Sequence, residues 1–544
     1  MSNSTNPTPQ DHPPTPTPIP TASYPFNKAN ADIILRTSDR VDFHVYSQIL
    51  VAASPFFEGM FDVPQPPLDQ QELKYGRPII DVSETSKALD TLLRICYPIN
   101  KPDSRSLEEI ELALAAAIKF EMELPKTMLI AELKSKTLTR RHPLEVWGIA
   151  CRLGLEGVAR CAAKEVASSP DFKVLGDMDG IMAGDYFRLR EYLRLRRQVP
   201  SAFEFLSPST SPWTNLRAGR FPAITSQSLA DAPPPDIICR SVDGVEFRAH
   251  KTVVSLASAT LREKLNSTSS SPREEGSTID VVLPTFQFEE GSIVLLAMLQ
   301  LSYHAPADVT LPTGLGDLTA VLLAVEKYKL DAAQPAVWSF WHVIASTQPL
   351  QAYCYAIRAG HVACAKEAAR CVLNQTVEGV YAEELESTPA LAYHRLLVYY
   401  EKCCSVAKTE FGKIDDALKT PLSLSPIVAP QASAAPSQTP PPRAHGANVP
   451  SRWSTDFGSL LSCQSNSSWI QGYVRDLSSR FQVRPGSDAP ALSKLFADAT
   501  KASNEDTGPR VWCKECQVVA DQILEVDKAL RRLPDGLGKV ELEI

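Results

Sequence analysis

The chain has 544 residues, a formal net charge of −8 and 44% hydrophobic residues. That length predicts several domains of roughly 150 residues each, with enough apolar residues for ordinary cores. The acidic balance argues against a general nucleic-acid binder, and no apolar run reaches the ~20 residues of a membrane span.

Residues 1–28 are rich in Pro, Thr and Ser and are expected to form a disordered tail, with no secretory pattern. Asp32-Ile33-Ile34-Leu35-Arg36 then reads as a short buried strand. A turn at Ser38-Asp39-Arg40 and the alternation Val41, Phe43, Val45 predict a hairpin with one buried face. Ser54 caps a following helix, with Pro55 at its first position. Phe56, Phe57, Met60 and Phe61 fall on one side of that helix. Ile79-Ile80-Asp81-Val82 predicts a third strand, and helices are expected over Ser86–Tyr97 and Leu107–Met122. The densest basic stretch, Arg188 to Arg197, is interleaved with Leu189, Tyr192, Leu193 and Leu195. It reads as the solvated face of an amphipathic helix rather than a phosphate site.

The opening pattern occurs twice. Asp236-Ile237-Ile238-Cys239-Arg240, a turn at Asp243-Gly244, the hairpin residue Phe247 and the capping residue Ser258 repeat it. The differences 236 − 32, 247 − 43 and 258 − 54 each give 204. A constant offset over several matched positions marks an internal duplication. It continues downstream, where 349 − 143, 358 − 152 and 360 − 154 each give 206. There Pro143, Arg152 and Gly154 match Pro349, Arg358 and Gly360, and Ala159, Ala162 and Ala163 match Ala365, Ala368 and Ala369. Small residues at helical spacing let helices approach closely, and each Gly suits the turn between paired helices.

Asp-Ile-Ile, a hairpin, Phe-x-x-His-Lys and Ser-x-x-(Phe/Leu)-x-x-x-(Phe/Leu) together resemble the BTB/POZ domain, and the continuation Phe57-Glu58-Gly59-Met60-Phe61-Asp62-Val63-Pro64-Gln65-Pro66 resembles the form abundant in mushroom-forming fungi. Phe247, His250, Lys251 and Ser258 fit the pattern in the second copy. The first copy has Tyr46-Ser47 where His-Lys is usual. The resemblance implies an α+β, helix-rich fold: two BTB/POZ-type cores, each followed by a helical extension similar to the BACK module. It also implies interaction through protein faces, by dimerisation or by pairing of the two copies within one chain. Asp32, Phe43, Ser54, Phe57, Phe61, Asp236, Phe247, His250, Lys251 and Ser258 are the structural and interaction residues it singles out. For His250 it implies a packing role near the first strand, with Asp236 accepting its N–H.

The resulting division is a tail at 1–28, BTB-like domains at 29–137 and 235–345, and helical extensions at 138–206 and 346–416. Pro/Ser-rich and Pro/Ala/Ser-rich linkers occupy 207–234 and 417–451. A C-terminal helical segment, 452–544, carries Trp453, Phe457, Trp469, Tyr473 and Phe481. Its closing helix is expected over Val518–Leu533, with Val519, Ile523, Val526 and Leu530 on one face.

Chemistry-bearing patterns are sparse. Cys513-Lys514-Glu515-Cys516 has zinc-knuckle spacing, but neither Cys463 nor the Cys403-Cys404 pair forms a second CxxC. The expectation is packed thiols and no metal. The other cysteines, such as Cys151, Cys161, Cys364 and Cys371, sit in helical patterns and read as reduced thiols of a cytoplasmic or nuclear protein. No GxSxG, GxxxxGK[ST], HExxH or strand-borne GxGxxG occurs, so no catalytic site and no cofactor is expected. The expected function is a non-enzymatic adaptor or scaffold with protein partners, and no nucleic-acid, membrane or small-molecule ligand. One alternative is a substrate-recruiting adaptor of a cullin-type ubiquitin ligase. The hydrophobic-x-Glu motif of such adaptors is replaced by Gln70-Gln71-Glu72 and Pro272-Arg273-Glu274. A transcription-associated regulator is the second alternative.

Overall fold

The computed structural model describes residues 19–63, 72–99, 105–168, 178–195, 198–200, 202–206, 234–267, 283–419, 468–487 and 514–544. The chain divides into two compact units, Met1–Thr210 and Ser211–Ile544.

In the first unit, β1 (Ile33–Arg36) and β2 (Asp42–Val45) form the expected hairpin. Leu35 faces Phe43 across it. The chain then forms α1 (Ser47–Ala53) and α2 (Pro55–Asp62). Strands β3 (Leu73–Lys74) and β4 (Arg77–Asp81) follow, and then α3 (Ser86–Cys96), α4 (Leu107–Lys119) and α5 (Glu123–Leu133). The sheet order is β2-β1-β4-β3, with β4 parallel to β1. Parallel pairing requires a crossover, and α1 and α2 supply it. The core gathers Ile33, Leu35, Phe43, Val45, Leu50, Phe57, Leu92 and Phe120. The sequence pattern missed β3, whose two residues are too few to alternate.

The extension comprises α6 (Lys136–Arg141), α7 (Pro143–Arg152), α8 (Glu156–Val166) and α9 (Ala183–Arg194). Gly154 joins α7 to α8 at φ +66°, a conformation that glycine adopts without steric cost. Ala159, Ala162 and Ala163 are fully buried in that helix pair. The basic helix α9 is less solvated than expected. Leu189 and Tyr192 are buried, and Arg188 pairs with Asp185 at 2.8 Å and donates to the Phe205 carbonyl.

The second unit repeats the plan. Strands β5 (Ile237–Arg240) and β6 (Glu246–Ala249), helices α10 (Lys251–Ala257) and α11 (Ala259–Ser267), and strand β7 (Thr285–Gln287) give a sheet ordered β6-β5-β7. Cys239 faces Phe247, the equivalent of Leu35 facing Phe43. Helices α12 (Ser292–Tyr303), α13 (Leu315–Lys327), α14 (Gln334–Thr347), α15 (Pro349–Arg358) and α16 (Val362–Val372) follow. Gly360 turns between α15 and α16 at φ +69°. Tyr353 takes the place of Trp147, and both are fully buried.

The following helix, α17 (Ala390–Lys419), is 30 residues long. Helices α18 (Ser468–Val483) and α19 (Lys514–Gly538) pack on it. Phe411, Ile414, Tyr473, Leu477, Phe481, Ile523, Val526 and Leu530 share one core there. The closing helix is longer than expected at both ends, and the C-terminal segment is an extension of the second unit. Gly486 N–H donates to the Leu373 carbonyl at 3.0 Å, tying the end of α18 to the end of α16. Trp453 and Phe457, and the side chains of Trp469 and Val519, lie outside the described residues.

One expectation is corrected. Residues 19–28, assigned to the disordered tail, are packed. Phe26 is fully buried, tilted against Phe43 at 5.5 Å and edge-on to Tyr97 at 5.3 Å. Ala22 N–H donates to the Asp42 carbonyl, and Asp42 N–H to the Pro20 carbonyl. Backbone hydrogen bonding does not depend on side-chain type, so Pro/Thr-rich composition conceals such a strap.

Candidate interaction faces

The residues singled out by pattern hold the two cores together. Asp32 accepts the Ser47 N–H at 2.8 Å and the Ser47 hydroxyl, so it ties the start of α1 to β1. Asp236 accepts the Lys251 N–H at 2.6 Å in the same way. Ser54 Oγ accepts the Phe57 N–H and donates to the Phe120 carbonyl. Ser258 Oγ accepts the Leu261 N–H and donates to the Tyr328 carbonyl. Each serine thus caps a helix and anchors the end of a second one. Phe43, Phe57 and Phe247 are buried, and Phe61 packs at the margin of the first core.

His250 has a partner that its sequence position did not indicate. Its backbone N–H donates to Tyr303 Oη at 2.6 Å, and its Nδ1 lies 2.9 Å from that oxygen. The first copy keeps the tyrosine without the histidine, since Tyr46 N–H donates to Tyr97 Oη at 3.0 Å. Two loop aspartates do matching work. Asp39 accepts the Ser86 N–H and hydroxyl, and Asp243 accepts those of Ser292.

The copies differ most on the hairpin. In the first, Asp42 is fully buried between Arg36 at 2.8 Å and Lys74 at 2.6 Å, and Arg36 also meets Glu72. Burial alone would raise the Asp42 carboxyl, but hydrogen bonds from Arg36 and Lys74 hold it below the usual carboxylate range. Burial pushes His44 down and favours neutral imidazole. In the second copy the matching pair, Arg240 and Glu246, is half exposed.

A surface groove of about 890 Å³ lies on the first module. Ile49, Ala52, Pro55 and Leu124 line it with Glu58 and Glu121. Neither glutamate has an ion-pair partner among the described residues. The Ser54–Phe120 and Ser258–Tyr328 bonds align the two copies here, so Glu58 matches Arg262 and Glu121 matches Lys329. Both cations are exposed. At these two positions the equivalent surfaces carry opposite charge, whereas Glu123, which also lines the groove and pairs with Lys126, matches another acid, Asp331.

Metal chemistry has one three-residue candidate among the described residues. Ligand atoms of His342, Glu367 and Cys371 lie within 4.8 Å of one another. Glu367 already pairs with His342 at 3.2 Å and with Arg370 at 3.0 Å, so its carboxylate is held in an ion-pair net. Burial raises the Cys371 thiol, and it raises the Cys239, Cys354 and Cys364 thiols to about 12. Protonated thiols are poor ligands and nucleophiles. Cys513 and the side chain of Cys516 lie outside the described residues. No helix among the described residues is long and apolar enough to cross a membrane.

Two sheets, each an antiparallel hairpin with a parallel third strand and flanking helices, define a duplicated interaction-domain class. The BTB/POZ domain model matches residues 25–137 and 227–341. The chain thus carries two BTB/POZ domains in tandem, and such domains are generally protein-interaction modules. No curated protein matches it.

Proposed function

We propose that this chain is a non-enzymatic intracellular scaffold that joins two different protein partners, one on each BTB module. The observation that carries the reading is the reversal of charge at equivalent positions, from Glu58 and Glu121 to Arg262 and Lys329. Complementary charge selects partners and rejects wrong ones. The first module suits a basic, partly apolar surface, and the second suits an acidic one. The same opposition suits self-association of unlike modules, within a chain or between chains.

The test is quantitative affinity purification of the full-length chain from its native cell, beside two variants. Glu58→Arg with Glu121→Lys should lose one set of stoichiometric partners. Arg262→Glu with Lys329→Glu should lose a different set. Identical recoveries from all three chains would overturn the reading. A cullin among the stoichiometric partners would assign the scaffold to ubiquitin ligation.

A further inference from the structure

In the second module α14 packs on α16. Three side chains of different chemistry converge between them: His342 from α14, and Glu367 and Cys371 from α16. Glu367 and Cys371 are four residues apart and so share one face of their helix. One ligand atom of each side chain lies within 4.8 Å of the other two. His342 Nδ1 is 3.2 Å from the Glu367 carboxylate. The cluster has a buried floor and an open mouth, since Cys371 is 6% exposed and the His342 side chain 44%.

Imidazole nitrogen, thiolate sulfur and carboxylate oxygen are the three donors that zinc takes from proteins. Tetrahedral bonds of about 2.0–2.3 Å put neighbouring ligand atoms about 3.3–3.7 Å apart. The cluster therefore needs to contract by about 1 Å at most, and the half-exposed His342 is free to turn. A thiolate and a carboxylate together balance the double charge of the ion. The competitor for Glu367 is Arg370 at 3.0 Å, a side chain 68% exposed and held by a weak surface pair.

The first copy carries the same two residue types in reverse order on α8. Subtracting 206 from 367 and 371 gives 161 and 165, which are Cys161 and Glu165. The helix facing them, α6, brings Arg140 to 3.7 Å from Glu165 and contains no histidine. Among the described residues no third ligand joins that pair. The duplicated helices thus meet through an ion pair in one module and through three metal-binding side chains in the other.

We propose that the second module binds one zinc ion through His342, Glu367 and Cys371, with water at the fourth position. On binding, the Cys371 thiol releases its proton to solvent as the zinc–sulfur bond forms. Glu367 exchanges its pair with Arg370 for the metal. Zinc keeps its charge throughout, so no oxidant or reductant takes part. The ion clasps α14, where the BTB/POZ match ends at residue 341, to α16 in the helical extension beyond it. One of the two modules is thereby stiffened by metal and the other is not.

Metal titration of the full-length chain tests it, in a Cys513→Ser/Cys516→Ser background that removes the CxxC pair. After chelator treatment the chain is titrated with cobalt(II) chloride and then with zinc chloride. One cobalt per chain should bind with a thiolate-to-cobalt charge-transfer band, and one zinc should displace it. Cys371→Ala should abolish the band. His342→Ala should weaken zinc binding more than about a hundredfold, beyond the loss that an outer-shell group brings. Arg370→Ala should tighten it about threefold by freeing Glu367. In scanning calorimetry, zinc should raise the transition of the second module and leave that of the His342→Ala chain unmoved. Circular dichroism checks folding, and if the buried Cys371→Ala change unfolds the chain, the half-exposed His342→Ala change decides. A chain without a thiolate–cobalt band, or a band that survives either folded variant, would overturn the proposal.

Discussion

Phe26→Ala tests the strap. The side chain is fully buried, packed on Phe43 and Tyr97, with the Arg94 guanidinium 5.5 Å from its ring centre. Truncating a buried phenylalanine costs about 3–5 kcal/mol, through lost burial and the cavity left behind. The strap joins the sheet by a few backbone bonds and can relax, so the lower value, about 3 kcal/mol, is expected. For a module of this size each kcal/mol lowers the melting temperature by about 2–4 °C, so a fall of about 6–12 °C is expected. Differential scanning calorimetry of the full-length chain reads it. Only the transition of the first module should move, because Phe26 packs within that unit. An unchanged thermogram, or an equal fall in both transitions, would refute the assignment of residues 19–31 to the first core.

Phe43→Ala and Phe247→Ala should each cost about 3–5 kcal/mol in its own module, read by denaturant unfolding. Ser258→Ala removes a helix cap and leaves the Tyr328 carbonyl without that donor, so a loss of about 2 kcal/mol is expected from the same assay. Gly486→Ala puts a methyl 2.6 Å from Asn374 Oδ1 and 2.8 Å from Leu373 Cβ, and should destabilise the C-terminal extension by about 1–3 kcal/mol, seen as faster hydrogen exchange in α18. Acid should weaken the first module in two stages. His44 has a depressed folded pKa, so below about 6.5 the unfolded chain takes a proton that the folded chain resists, and stability falls. Asp42 is also depressed, so its contribution holds above about 3.9 and is lost as pH drops through the folded value. Exchanging His44 for Gln should remove the first stage from a melting-temperature profile against pH.

Much of each core was legible because side-chain pattern and backbone geometry agree there. Phe43 alternates with Val41 and Val45, and Ser54-Pro55 signals a helix start. The capping serine's second bond, to the carbonyl of residue 120 or 328, was not legible, because it closes a contact over more than sixty residues. The strap escaped for a different reason: its bonds are backbone bonds and its one deep anchor, Phe26, sits among prolines. The Tyr303 partner of His250 escaped because the hairpin and α12 are far apart in sequence. The opposed charges at 58 and 262, and at 121 and 329, stood in the sequence throughout. Their offsets are 204 and 208, and only the structure aligns both.

The strap also sets where the protein tolerates cutting. A protease acting between residues 19 and 31, or a recombinant chain begun after them, would leave a folded sheet with one raw margin. Losing that stretch would resemble removing a cover more than trimming a tail. The product would keep its helices and gain adhesiveness, so shortened chains of this protein are poor guides to the solubility of the whole.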